Sequence, residues 1–422
     1  MTHWFRKFAG ITLLATSAML LLSACGSNSN SAGGVTTIEF FNQKTEMTAT
    51  LRSIIKDFEK KNPKIKVTLS NVPNAGTVLK TRMLSGNVPD VINTYPQNID
   101  YQEWAKAGYF QDMTHEAYIK NIKNHYAQQY AINGKVYNAP LTANVYGFYY
   151  NKTAFAKLGL KVPQTWSEFE TLVKTIEAKG KTPFALAGTE GWTLNGYHQL
   201  ALATVAGSAD AANKILRYSP VNGIKLSNPV IQGDITRLNL LRGNNAAQKN
   251  WKGASYNDAV VAFTKGEALI MPNGSWANPV IKTQEPKFKV GTFAFPGKEK
   301  GQELTVGAGD MALSISATTK HKAAANKFVA YMASPAAMQM YYDVDGSPCS
   351  VIGVKQKTGA DTPLGGIAKL AFTKHQFVWM AQHWNSENDF FTLTTDYVTT
   401  GDKNNLVAEM NAFYNPMKAN NN

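Results

Sequence analysis

Carboxamides, carboxylates and indole rings stand at turn-like positions along this 422-residue chain. Gln43, Lys44 and Glu46 follow the β-rich run "VTTIEFF", at the carboxyl end of a predicted strand, where open α/β sheets bind ligands. Tyr95 and Gln97, in "NTYPQN", end a later predicted strand in the same way. Glu190 and Trp192 lie between glycines in "GTEGWTLNG", where the backbone can come close to a guest. "PNGSW" offers Asn273 and Trp276, "GAGD" offers Asp310 as an acceptor, and "AQHWNSEND" offers Trp384. Such groups pair hydroxyls and cover C–H faces without making a bond. A buried hydroxyl left unpaired costs about 1–3 kcal/mol, so pairing of this kind confers specificity.

The arrangements that covalent or metal chemistry needs are missing. "GAGDMA", Gly307 to Ala312, has dinucleotide-loop spacing but runs into a predicted strand rather than a helix. "HEAYI", from His115, has Ile119 where a second zinc histidine would stand. "DVDGSPC", from Asp343, lacks the later oxygen ligands of a calcium loop. The seven histidines show no metal spacing, and no G-x-S-x-G elbow is present. A glycoside hydrolase needs two facing carboxylates; Glu190 and Asp310 are the pair that can be named, with no distance between them in the sequence. The expectation is a chain that is not an enzyme and holds no cofactor or metal.

The N-terminal residues are a leader. Arg6 and Lys7 precede an apolar run from Ala9 to Leu22, and the small residues Ser23 and Ala24 follow it. That run is shorter than the roughly 20 residues a transmembrane helix needs, and the layout is that of a secretory signal peptide, residues 1–24. Leu22-Ser23-Ala24-Cys25-Gly26 resembles the lipobox of bacterial lipoproteins. A thiolate is the nucleophile that can take a lipid, and two acyl chains anchor stably where one does not. Residues 25–34 then read as the lipidated cysteine and a flexible tether.

The remainder is long enough for two domains. An apolar content of 44% against 17% charged residues is that of a folded protein. The only other cysteine is Cys349, so lipidation of Cys25 leaves no intrachain disulfide. The formal charge of +14 comes from scattered lysines rather than a basic run interleaved with aromatics, which excludes a nucleic-acid partner and fits a solvated face beside an anionic envelope.

Those groups must be positioned by the elements around them. A strand over 36–41 precedes a helix with Leu51, Ile54, Ile55 and Phe58 in one stripe, stopped by Asn62-Pro63. "KIKVTLS", a helical "AGTVLKTRMLSG" and "PDVINTY" continue strand, helix, strand, which predicts α/β layering with a largely parallel sheet. "GKVYNAPLTANVYGFYYN", residues 134–151, reads as one long strand-like segment. Thr165 and Glu168 form a capping box, followed by the stripe Phe169, Leu172, Val173 and Ile176 and the stop at Gly180. Residues 192–241 read as mainly helical. "GEALIMPNGSWANP" reads as a strand running into a helix start, "FKVGTFAFPG" and "MALSIS" as strands, and "HKAAANKFVAYMAS" as a helix closed by Pro335.

The lipobox, "IEFFNQ" with "IIKDFEKKNPKIKV", "YGFYYNKTAF" with "VPQTWSEFE", "GEALIMPNGSW", and "VGAGDMALSISATTKHKAAANKFVAYM" resemble, in that order and spacing, the carbohydrate-type solute-binding proteins of ABC importers, the maltose-binding-protein-like family. The resemblance covers nearly the whole mature chain. It implies a type II periplasmic-binding-protein-like fold of two α/β lobes, each a β-sheet flanked by helices, with three hinge crossings. We place the crossings near 140–144, 273–275 and 333. Lobe one is then 35–142 plus 275–332, and lobe two 143–274 plus 333–422. The resemblance further implies a carbohydrate ligand, an oligosaccharide, in an interlobe cleft, with Trp276 stacked on it. Delivery is to membrane permease subunits, from a monomer lipid-anchored to the extracellular face of the plasma membrane, as in a Gram-positive cell. A non-sugar solute, an organic phosphate or iron chelate, is the alternative within the family; it would want clustered arginines, and Arg52 and Arg82 are poorly placed.

Overall fold

The computed structural model describes residues 34–357, 359, 362–379 and 387–418. Its strands, in chain order, are β1 Thr36–Asn42, β2 Ile65–Asn71, β3 Val91–Thr94, β4 Ala139–Pro140, β5 Tyr146–Asn151, β6 Thr182–Phe184, β7 Ala268–Gly274, β8 Val290–Phe293, β9 Thr305–Val306, β10 Ala312–Ile315 and β11 Gln376–Phe377. They form a five-stranded sheet ordered β2-β1-β3-β10-β4, a four-stranded sheet ordered β6-β7-β5-β8, and the short pair β9-β11.

In the first sheet β1 pairs in parallel with both β2 and β3, as the alternation of strands and helices predicts. β10 then returns from far along the chain and inserts antiparallel between β3 and β4. Successive side chains of a strand point to opposite faces, so Phe40 and Phe41 enter two different cores. Phe40 packs with Leu51, Ile54 and Phe58, the stripe of the Thr48–Lys61 helix, and with Phe328 and Met332. Phe41 packs on the other face with Leu79, Met83, Ile92 and Tyr101.

The second sheet repeats this plan. Phe148 of β5 lies among Phe169, Tyr197, Phe293 and Phe295, while its neighbour Tyr149 lies among Val260, Phe263, Met271 and Ile281. Thr165 caps the Trp166–Ala178 helix, its side chain accepting from Glu168 N. The Glu168 carboxylate reaches back to Gln164 N at 2.7 Å, one residue earlier than the capping box expected. The Trp192–Ala206 helix is locked to its neighbours through buried His198, whose Nδ1 lies 2.7 Å from Thr394 Oγ1 and whose Nε2 lies 3.0 Å from Asp234 Oδ2.

Three expectations about chain path need correction. The segment 134–151 is not one strand: β4 closes the first sheet and β5 opens the second, so the chain crosses between them, near Asn144. The crossing expected at 273–275 does not occur there. β8 pairs antiparallel with β5, which keeps the chain with the second sheet, and it returns near Gly307, before β10. The crossing expected at 333 is also displaced. Ser334 caps a further helix, Pro335–Asp345, with Pro335 in its first turn, and Met338 and Tyr341 of that helix fill the first core. Beyond Val354 the chain reaches the second sheet's core by Leu364, and Phe372 then packs against both cores. No helix among the described residues is long and apolar enough to cross a membrane. Cys25 and Trp384 lie outside the described residues.

Candidate functional site

A cleft of about 730 Å³ is lined by residues from both sheets and from the crossing segments, within the range of pockets that enclose small ligands. Of the residues singled out in the sequence, Gln43, Lys44, Glu46, Tyr95, Gln97, Trp192, Trp276 and Asp310 line it.

The first sheet supplies a polar floor. Buried Asn42 shapes the loop after β1: its Nδ2 donates to Lys44 O at 2.8 Å, and its Oδ1 accepts from Lys44 N at 3.0 Å. This turn directs the Lys44 side chain inward. Its ammonium is 2% exposed and lies 2.7 Å from Asp310 Oδ2 and 3.0 Å from Glu46 Oε1. Burial pulls the Lys44 pKa down, but the fields of Asp310 and then Glu46 more than offset it and hold the ammonium well above its ordinary range. Gln43 Nε2 donates to Asn93 O at 2.7 Å. Gln97 lines the cleft, and its Oε1 has no hydrogen-bond partner among the described residues. Burial pushes the Tyr95 phenol up, so it stays a neutral hydroxyl.

The second sheet supplies an aromatic wall. Trp192 and Tyr256 open the Trp192–Ala206 and Tyr256–Thr264 helices, and Trp276 precedes the Ala277–Thr283 helix. Ring centroids step from Tyr256 to Trp192 at 5.1 Å, from Trp192 to Trp276 at 6.2 Å, and from Trp276 to Tyr146 at 6.2 Å. Two glycines make room for these rings. A Cβ on Gly274 would stand 2.0 Å from the Trp276 ring, and one on Gly196 would stand 2.4 Å from the Tyr146 ring. The Tyr146 hydroxyl is fixed by donating to Thr193 O at 2.7 Å. Tyr256 OH and Trp276 Nε1 have no partner among the described residues.

Two of the sequence candidates are placed elsewhere. Glu190 does not line the cleft; its carboxylate accepts the Tyr256 backbone N–H, so it positions the ring of its neighbour. Asn273 is 2% exposed inside β7, opposite Gly147, with its Oδ1 accepting from Gly274 N at 2.9 Å. Conversely, the sequence reading missed Tyr256, Asn195, Gln199, Asn144, Tyr146 and Trp379 in the cleft wall. A signal existed for some of them. Trp192, Asn195, Gly196 and Gln199 share one helix face at i, i+3, i+4 and i+7, and Ser255 with Asp258 forms a complete capping box around Tyr256.

Behind the floor sits a second buried carboxyl. Asp345 Oδ2 accepts from Ser347 N at 3.0 Å, while its Oδ1 has no partner among the described residues. Burial raises its pKa from 3.8 to about 6, against the opposing pull of Lys44. The folded chain therefore holds a proton that the unfolded chain releases earlier, and this group's contribution to stability falls as pH rises from about 4 to 6. Asp345→Asn is expected to exceed the parent in unfolding free energy at pH 7.5 by up to about 3 kcal/mol. The gain should vanish at pH 4. Urea denaturation at the two pH values checks this, and an equal effect at both would remove the ionisation penalty from the account.

The bacterial extracellular solute-binding protein family profile matches residues 42–339. The chain is 60% identical over 418 residues to the multiple sugar-binding protein of Streptococcus mutans serotype c, covering 99% of each chain. Among solved structures, RafE in complex with raffinose matches at a TM-score of 0.88 and 61% identity, covering 91% of this chain and 100% of that one. The apo form of RafE from Streptococcus pneumoniae matches at 0.82 and 60% identity, covering 92% and 99%. With sheets flanked by helices on both faces, chain crossings between them and a cleft lined from both sides, these matches place the fold as two-lobed, of the type II periplasmic-binding class. The chain belongs to the family of bacterial extracellular solute-binding proteins.

Proposed function

We propose that this protein captures an oligosaccharide in the cleft between its lobes and delivers it to the permease subunits of an ABC importer, without cutting it. The observation that carries this reading is the opposition of a ring-lined wall and a polar floor across one cleft. Stacked rings suit the C–H faces of a sugar, and carboxylates and amides suit its hydroxyls. Glu46 and Asp310 are both tied to one ammonium, which favours acceptor roles over proton transfer to a leaving group. The greater likeness to raffinose-bound RafE than to apo RafE is in keeping with lobes arranged as around a ligand.

The bodies that rotate are, in this proposal, 35–143 with 308–354, and 144–307 with 362–418. A guest favours closure only through contacts to both. We place the receptor as a monomer on the outer face of the plasma membrane, tethered through lipidated Cys25. Its sequence context Leu22-Ser23-Ala24-Cys25 supports this, as does family membership.

Thermal denaturation against a panel of neutral mono- and oligosaccharides, raffinose included, tests the reading. A ligand at 100 times its Kd adds about 2.7 kcal/mol of stability, a shift of several degrees. A panel with no stabilising sugar, or release of cut product on incubation, would overturn it.

A further inference from the structure

The chain as a whole is strongly basic, with a formal charge of +14, yet the cleft is not. Among the described residues that line it, the charged side chains are Lys44, Glu46 and Asp310, one cation against two anions. The lone cation cannot serve a guest: it is 2% exposed and already paired to Asp310 at 2.7 Å and Glu46 at 3.0 Å. Each of these carboxylates gives one oxygen to Lys44, both residues line the cleft, and Asp345 is a further buried carboxyl. A hydroxyl can donate to such oxygens; a carboxylate or phosphate can only oppose them, and like charges at partly buried groups are screened less than at exposed ones.

We propose that the cleft sorts saccharides by charge, accepting neutral ones and rejecting acidic ones such as uronates and sugar phosphates, with Glu46 and Asp310 as the excluding groups. This rests on the sugar reading above and goes beyond it. The basic exterior makes the selection meaningful, because its field gathers anionic solutes at the surface while the cleft refuses them.

The test compares raffinose with its mono-acids, each oxidised at one primary alcohol to a carboxylate, by isothermal titration calorimetry on the full chain. Every mono-acid is expected to bind at least tenfold more weakly than raffinose, and the ammonium analogue at the same carbon to bind more tightly than the acid. Glu46→Gln, which brings the cleft to neutrality, should shrink the raffinose-to-acid ratio at least threefold; Asp310→Asn is the second variant should the first not fold. A penalty below tenfold in the parent, or a ratio that neither variant moves, overturns the proposal. If no neutral sugar of the panel binds, the sugar reading falls and this one with it. If raffinose binds and the ratio is flat, only the charge selection falls.

Discussion

Lys44→Met is expected to lower the unfolding free energy by about 3–5 kcal/mol. The ammonium is 2% exposed and sits between Asp310 and Glu46, so its removal leaves two carboxylates facing each other with no counter-charge. Methionine fills much the same volume, and the loss therefore reports charge rather than packing. Urea denaturation at pH 7 measures it. The triple variant Lys44→Met, Glu46→Gln, Asp310→Asn should recover most of the stability, because exchanging a whole buried ionic group for neutral residues is often nearly neutral. A single-variant loss below about 1 kcal/mol would place Lys44 among ordinary solvated pairs, and the floor of the cleft would have to be redrawn.

The second large effect belongs to Trp276. Its ring lies 6.2 Å from both Trp192 and Tyr146, in the middle of the wall. Truncating a central ring in an enclosed contact typically costs 2 kcal/mol or more. Trp276→Ala is expected to weaken raffinose binding about 100-fold, which is about 2.7 kcal/mol. At a sugar concentration 100 times the parent's Kd, the ligand-induced stabilisation should then fall to about 0.4 kcal/mol. Calorimetry gives the affinity, and circular dichroism of the sugar-free variant shows whether the fold persists. A Kd within threefold of the parent would mean that the ring covers the lobe rather than the guest.

The loop after β1 and Trp192 were legible as cleft-lining because the rules that mark them are local, whereas Trp276 was marked by the family resemblance. A strand's carboxyl end opens toward a cleft, and a glycine lets a ring lie against the backbone. Glu190 shares its loop with Trp192 yet turns to the Tyr256 amide, and no one-dimensional signal tells a side chain which neighbour it will meet. Asn273 belongs to a strand buried along its whole length, so either face would take its side chain into the interior. Asn195 and Gln199 lie within a stretch read only as mainly helical, and polar residues on a helix are usually a solvated face, so nothing singled them out for the cleft they line. The α/β layers, the Leu51–Phe58 stripe and the Thr165 cap follow from periodicity and capping chemistry. The later crossings, expected at 273–275 and 333, did not, because β8 was visible as a strand while its partner β5 is a choice made across more than a hundred residues. Trp384 lies outside the described residues, and its part in the site is open to the same calorimetric test as Trp276.

The late arrival of β10 has a bearing on how such a chain can be exported. Asn93 and Asp310, joined across the first sheet, are 217 residues apart, whereas all four strands of the second sheet lie between Tyr146 and Phe293. A polypeptide threaded through a secretion pore from its N terminus thus delivers β3 with one edge bare, and nothing can cover that edge until Ile315 has emerged. Closing so long a loop is slow, so the first sheet is completed late, after every strand of the second is already available.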